Sequence, residues 1–399
     1  MFLRLRLRLP RSAAPLLSGV LIGLVAAGVV VAVRPAGIAP AAPGATASAA
    51  SSAAQPSVTA APDPLAACAP AVAALTPRER LAQRLVVGVD GADPAAVVTI
   101  VRATQVGGIF IGGNATALLR NQALARVQDA SRTPLAVSVD DEGGRVQRID
   151  GLDGPLPSAR RMAARNTPEE VEALARTRGK ALAARGVTVD FAPVVDVGGQ
   201  PANSVIGDRA FSDDPAVVAR YAGAFADGLR AAGVLPVLKH FPGHGHASGD
   251  SHKGRVTTPP LADLRATDLR PYTELLEAGP VAVMVGHLDV PGLTDGLPTS
   301  LTPEAYRLLR DDYGFDGLVV TDDLGAMKAV TGTFTLPEAV LKALTAGADQ
   351  ALWSSGAQDA AAVGSLLDGL EKALADGRLD PAVNDRAVAR VLVAKGACD

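Results

Sequence analysis

Eight short, near-continuous apolar strings between residues 85 and 353 constrain the fold of this chain more than any other feature. They are Leu85–Val89, Val106–Ile111, Leu135–Asp140, Val187–Val197, Leu235–Phe241, Val281–Val290, Gly317–Leu324 and Ala348–Trp353. Strings that lack polar alternation fit parallel strands covered on both faces. The stretches between them are amphipathic and open with helix-start signals. Thr167-Pro168-Glu169-Glu170, Asp214-Pro215 and Thr302-Pro303-Glu304 each place an N-cap residue type before a first-turn proline. Gly186, Gly233, Gly314 and Gly347 fall just before strings, where helix C-caps belong. Eight strand–helix units in succession predict an α/β fold, a single (β/α)8 barrel over residues 75–399. A doubly wound open sheet is the alternative, but no Gly-x-Gly-x-x-Gly turn follows the first string, which weakens a dinucleotide-binding version. With 48% hydrophobic and only 3% aromatic residues, the core must be aliphatic and rich in Ala.

The N-terminus has a different character. Arg4, Arg6, Arg8 and Arg11 precede an uncharged run from Ser12 to Val33, closed by Arg34. As a helix that run reaches about 33 Å, enough to span a bilayer. Residues 1–34 therefore read as a signal peptide or a transmembrane anchor, with the arginines held on the cytoplasmic side. Residues 35–74 are mostly Ala, Pro, Ser, Thr and Gly and read as a linker. It would span about 35 Å as a flexible coil and roughly 120 Å as polyproline. The expectation is export, with the folded part outside the membrane, either anchored or secreted. The five N-terminal arginines account for much of the balance between 38 basic and 41 acidic residues. The remainder is clearly acidic, which excludes bulk attraction to nucleic acid.

In a barrel, chemistry collects at the C-terminal ends of strands. Polar residues cluster where five of the strings end: Asp140-Asp141-Glu142-Gly143-Gly144-Arg145 with Arg148, Asp196 with Asp208-Arg209, Lys239 to His246 with Asp250-Ser251-His252, His287 with Asp289, and Thr321-Asp322-Asp323. Any one of these has an ordinary reading as a cap or a surface ion pair, whereas five together point to a site. Four of the five histidines lie between residues 240 and 252. His240, His244, His246 and Asp250 are candidate metal ligands, giving a metal-dependent hydrolase as one alternative, although Pro242 argues against the helical spacing of zinc proteases. No Gly-x-Ser-x-Gly elbow stands at a strand end. Paired acid–base chemistry on a sugar fits better. It needs a carboxylate below the anomeric carbon and a proton donor at the leaving oxygen. Asp250 and His252, two apart in a loop, can bond so that the carboxylate orients and tunes the imidazole.

At these residues the sequence resembles the bacterial exo-β-N-acetylglucosaminidases of glycoside hydrolase family 3. The resemblance rests on Lys239-His240-Phe241-Pro242-Gly243-His244-Gly245 with Asp250-Ser251-His252, and on Asp140-x-Glu142-Gly143-Gly144-Arg145-Val146-Gln147-Arg148. Ile206-Gly207-Asp208-Arg209-Ala210-Phe211 and Thr321-Asp322-Asp323-Leu324-x-x-Met327 add to it, and order and spacing agree from about Leu75 to Gly356. It implies a retaining exo-glycosidase that needs no cofactor or metal and releases terminal β-linked N-acetylglucosamine from peptidoglycan-derived saccharides. Asp322 would be the nucleophile and His252 the acid/base coupled to Asp250. Asp140, Arg148, Arg209, Lys239 and His240 would bind the terminal sugar. Asp323 is the less favoured member of its pair, and Met327 packs nearby. Gly325 departs from the Ser or Thr that relatives often carry. A β-glycosidase of other sugar preference and an inactive wall-binding protein are the remaining alternatives.

The two cysteines, Cys68 and Cys398, flank the folded region. A closed barrel brings its first and last elements together, and an exported chain meets an oxidising compartment, so the pair is expected to form a disulfide. The rival is lipidation of Cys68 after Leu65-Ala66-Ala67, which resembles a lipoprotein cleavage box but lies more than 30 residues beyond the apolar run.

Overall fold

The computed structural model describes residues 64–398; the signal or anchor segment and most of the linker lie outside the described residues. Eight strands follow one another around the sheet: β1 Leu85–Val89, β2 Gly108–Ile111, β3 Ala136–Val139, β4 Val189–Asp190, β5 Leu235–Phe241, β6 Ala282–Val285, β7 Val319–Thr321 and β8 Ala351–Trp353. Every named pairing is parallel, and β1 pairs with β8 as well as with β2. The last seam is narrower, with a single bridge between Val320 and Gln350. There the Thr321 amide donates to the Gln350 carbonyl at 3.0 Å and the Leu324 amide to the Leu352 carbonyl at 2.9 Å. An open doubly wound sheet is thereby excluded, since pairing of its first and last strands closes the sheet on itself.

The apolar strings are continuous because both strand faces are covered. Val86, Phe110, Ala136, Val189, Val237, Met284, Val320 and Leu352 fill the barrel interior, with Phe110 stacked on Phe191 at 5.5 Å. Their neighbours Val87, Ile109, Val137, Val283 and Val319 point outward under the helices. Those helices are α1 Pro94–Thr104, α2 Ala123–Gln128, α3 Pro168–Ala183, α4 Pro215–Ala231, α5 Arg270–Leu275, α6 Pro303–Arg307, α7 Leu336–Ala346 and α8 Ala360–Ala375. A ninth, α9 Pro381–Ala394, sends Val391 into the interior cluster. The start signals act as their chemistry dictates. Thr167 and Glu170 form a reciprocal capping box on α3, and Asp214 accepts from the Ala216 amide on α4. Thr302 precedes α6 without a side-chain cap.

Several strings run past their strands. Ladder pairing of β4 stops at Asp190, three residues before Pro193, which has no N–H to give. The segment nonetheless follows β5, with the Val195 amide donating to the Lys239 carbonyl at 2.6 Å. His287 and Asp289 lie in the loop after β6, not in the strand. The folded region also begins earlier than residue 75. Pro64–Ala67 and Ala69–Ala73 are helical, and Cys68 and Val72 pack against Val388, Ala389 and Leu392 of α9. Cys68 and Cys398 are joined in a disulfide with Cα atoms 4.7 Å apart, within the usual span for such a bond. Lipidation of Cys68 would require that sulfur to be free. Among the described residues no helix is long and apolar enough to cross a membrane.

Candidate active site

The ends of β3, β4 and β5 deliver a buried ionic floor. Glu142, in the loop after β3, takes Arg209 in a bidentate pair, Nε to Oε2 and Nη2 to Oε1, both 2.7 Å. Its Oε1 also meets the Lys239 ammonium at 2.7 Å. Asp140 accepts from Lys239 at 2.5 Å and lies 3.6 Å from the Arg148 guanidinium. Burial would raise the Glu142 carboxyl, but Arg209 and Lys239 reverse this and hold it far below the ordinary carboxylate range. On Lys239, burial favours the neutral amine, but Asp140 and Glu142 outweigh it and raise its pKa.

Asp196 beyond β4 organises the β5 end. Its Oδ2 faces His240 Nδ1 at 2.7 Å, and its Oδ1 accepts the backbone amides of His240 at 3.2 Å and His244 at 2.7 Å. Burial opposes its charge, yet His240 and His244 bring the carboxyl down to about 2. His240 Nε2 then stands 3.4 Å from Arg209, which joins this hub to the ionic floor.

Asp322 and Asp323 follow β7 and take different roles. Asp323 is consumed by the loop: its Oδ1 accepts the amides of Gly325 at 2.9 Å, Ala326 at 3.0 Å and Ser354 at 3.0 Å, and its Oδ2 accepts the Ser354 hydroxyl. Among the described residues the Asp322 carboxylate accepts only the Asp323 amide, on its Oδ1 at 2.8 Å, and Asp322 is 8% exposed. Burial works against its charge, but His287, His240, the Asp323 amide and Lys239 hold the carboxyl below its ordinary value. Burial lowers the His287 pKa, while Asp322 and Asp323 pull it back up in part. The His287 Nε2 meets the Asp323 carbonyl at 3.0 Å, which fixes a proton on that nitrogen, and its Nδ1 faces the Ser300 hydroxyl at 2.7 Å. Gly325 fits because a Cβ there would fall 2.3 Å from the Ser355 carbonyl oxygen.

The fourth part is a hairpin after β5. Ser248 and Thr257 exchange backbone bonds at 2.8 and 3.2 Å, and the Thr258 amide donates to the Asp289 carbonyl at 3.0 Å. At its tip, Asp250 Oδ1 accepts the His252 amide at 3.1 Å and faces His252 Nδ1 at 3.0 Å. The second ring nitrogen is left for another partner on a side chain 58% exposed. Burial slightly disfavours the Asp250 charge, but its bonds to His252 and Lys253 hold that carboxyl low. The Ser251 carbonyl accepts the Ala329 amide at 3.0 Å, which ties the tip to the segment beyond Asp322.

A cleft of about 700 Å³ brings Asp140, Arg148, Arg209, Asp250 and His252 onto one wall system. Lys239 and His240 reach it through the bonds just given, while Asp322, buried and within the electrostatic influence of His287 and His240, does not line it. The histidines do not converge as metal ligands. His240, His246 and His252 each bond a different carboxylate, those of Asp196, Asp268 and Asp250. Among the described residues no group of three or more His, Cys, Asp or Glu is placed to hold a metal ion.

Residues 76–394 match the family profile described as the glycosyl hydrolase family 3 N terminal domain. The chain belongs to glycoside hydrolase family 3. It is 53% identical over 332 residues to the β-hexosaminidase LpqI of Mycobacterium tuberculosis, covering 81% of this chain and 84% of the relative. A family 3 glycosyl hydrolase from Mycobacterium smegmatis superposes with a TM-score of 0.77 at 53% identity, covering 81% of this chain and 98% of that one. A family 3 β-N-acetylglucosaminidase from Paenibacillus superposes at 0.75 with 30% identity, covering 82% of this chain and 63% of the other. In this family 3 chain, three buried residues of the site carry no role that sequence reasoning assigned: Glu142, Asp196 and His287. Each stands at a strand end in the sequence, and only the fold reveals which partner it serves.

Proposed function

We propose that this β-hexosaminidase removes terminal β-linked N-acetylglucosamine from peptidoglycan-derived saccharides, with retention of configuration. One observation carries the reading. A buried, ionised carboxylate sits at a rigid strand end, and a carboxylate-backed imidazole sits on a separate hairpin at the same end of the barrel. Asp322 attacks the anomeric carbon as His252 Nε2–H protonates the departing oxygen, giving a glycosyl ester and a free alcohol. Asp250 holds the Nδ1–H and stabilises the imidazole through both protonation states. In the second step the now neutral Nε2 takes a proton from water, which displaces Asp322 and restores the β-configuration. Asp140, Arg148, Arg209, Lys239 and His240 grip the terminal sugar. The mycobacterial and Paenibacillus relatives support the N-acetylated sugar class.

Residues 1–34 export the enzyme and anchor it, or are cleaved to secrete it, and the residues before Pro64 give it reach into the wall layer. The Arg-flanked apolar run supports this. Comparing aryl β-glycosides with and without the N-acetyl group, and then muropeptide digests, tests the substrate. Preference for a sugar lacking the acetamide, or no hexosamine release from wall fragments, would count against the reading. Recovery of full-length protein only from the cytosol would contradict the location.

A further inference from the structure

We propose that Glu142 is a positioning residue that holds Lys239 and Arg209 together as one preformed cationic pair for the polar groups of the terminal sugar. The inference rests on the reading of those two cations as sugar ligands. They come from different elements, Lys239 from β5 and Arg209 from the loop after β4, and Glu142 comes from a third, the loop after β3. Two buried cations side by side repel one another, and Arg209 does act to lower the Lys239 pKa. A single oxygen, Glu142 Oε1, lies 2.7 Å from both cations, while Oε2 fixes the Arg209 plane through Nε. Glu142 is buried, and both its oxygens are already engaged by Arg209 and Lys239, so it acts through its partners and not on the sugar. Asp140 shares Lys239 but faces Arg148 at 3.6 Å through its other oxygen, and among the described residues it makes no ion pair with Arg209. Glu142 is therefore the member that sets the spacing.

The charge balance makes this testable. Lys239 faces Asp140, Glu142 and Arg209, with Asp190 of β4 and Asp322 also acting in its field. Replacing the Glu142 carboxylate with a neutral amide removes one anion and leaves burial and Arg209 to act against the ammonium. Lys239 must be charged to serve as a full donor, so activity is lost as pH rises through its pKa. For Glu142→Gln, kcat/KM should fall about 10–100-fold, mostly through KM. A new alkaline limb should appear, at a lower pH than any loss of activity in the parent enzyme, because the remaining causes on Lys239 favour the neutral amine. Glu142→Asp keeps the charge but shortens the reach, so it should lose affinity without gaining that limb. Thermal melts of both variants separate these effects from unfolding. An unchanged kcat/KM, or a loss with no new alkaline limb, would overturn the proposal. Lys239→Ala with undiminished kcat/KM would instead remove the sugar-binding reading beneath it.

Discussion

Asp322 and Asp323 are adjacent carboxylates in different surroundings, one bonded by a single neighbouring amide and the other by three amides and a hydroxyl. Asp322→Asn should abolish turnover and leave the melting temperature nearly unchanged. Asp323→Asn should lower that temperature, because an amide cannot accept all four donors; buried losses of this kind cost about 1–3 kcal/mol or more. Parallel melts and assays of the two variants check this, and turnover retained in Asp322→Asn alone would reverse the assignment. His252→Ala should lose most activity on alkyl or sugar leaving groups and much less on nitrophenyl ones, which need no protonation. A loss independent of leaving group would exclude the acid role. The string ending in Asp322-Asp323 is legible in sequence, but the division of labour within it is not, because it depends on Ser354, which lies 31 residues further on. Glu142 is hidden for the same reason: its partners stand 67 and 97 positions away, and nothing local distinguishes it from a surface acid.

At the scale of elements, the β5 string and its loop carry most of the site, and tight backbone contact holds them. Gly245 lies against the Val197 segment so closely that a Cβ would fall 1.9 Å from the Val197 carbonyl oxygen. Gly245→Ala should therefore displace the loop carrying His244 and the base of the His252 hairpin. The expected cost is about 1–3 kcal/mol in stability, with a larger loss of activity than of folded protein, checked by urea melts against specific activity. Equal stability and activity to the parent would show that the contact is not limiting. The strands themselves were readable as apolar strings because helices cover one face and the interior residues the other. Their ends were not, since ladder pairing stops where Pro193 or the Gly286 loop intervenes while the string continues.

For the whole molecule, the disulfide ties the first described helices to the end of α9, across 330 residues of chain. Closing so long a loop contributes on the order of 5 kcal/mol in the chain-entropy account. Cys398→Ala, or reduction of the parent, should lower the midpoint of thermal unfolding while leaving kcat near the parent value, because the bond lies at the terminal helices and away from the cleft. No change in midpoint on reduction would show that the termini hold without it. The pairing and the barrel closure were both legible from two cysteines and eight strings, whereas the helical start at Pro64 was not, since Ala- and Pro-rich sequence looks alike in linker and in packed helix. The central claim is the covalent role of Asp322, and one measurement meets it directly: peptide mapping by mass spectrometry after trapping with a slow, 2-fluoro-substituted β-glycoside. The account predicts a single glycosyl label on Asp322. A label on Asp323, or on any other residue, would contradict it.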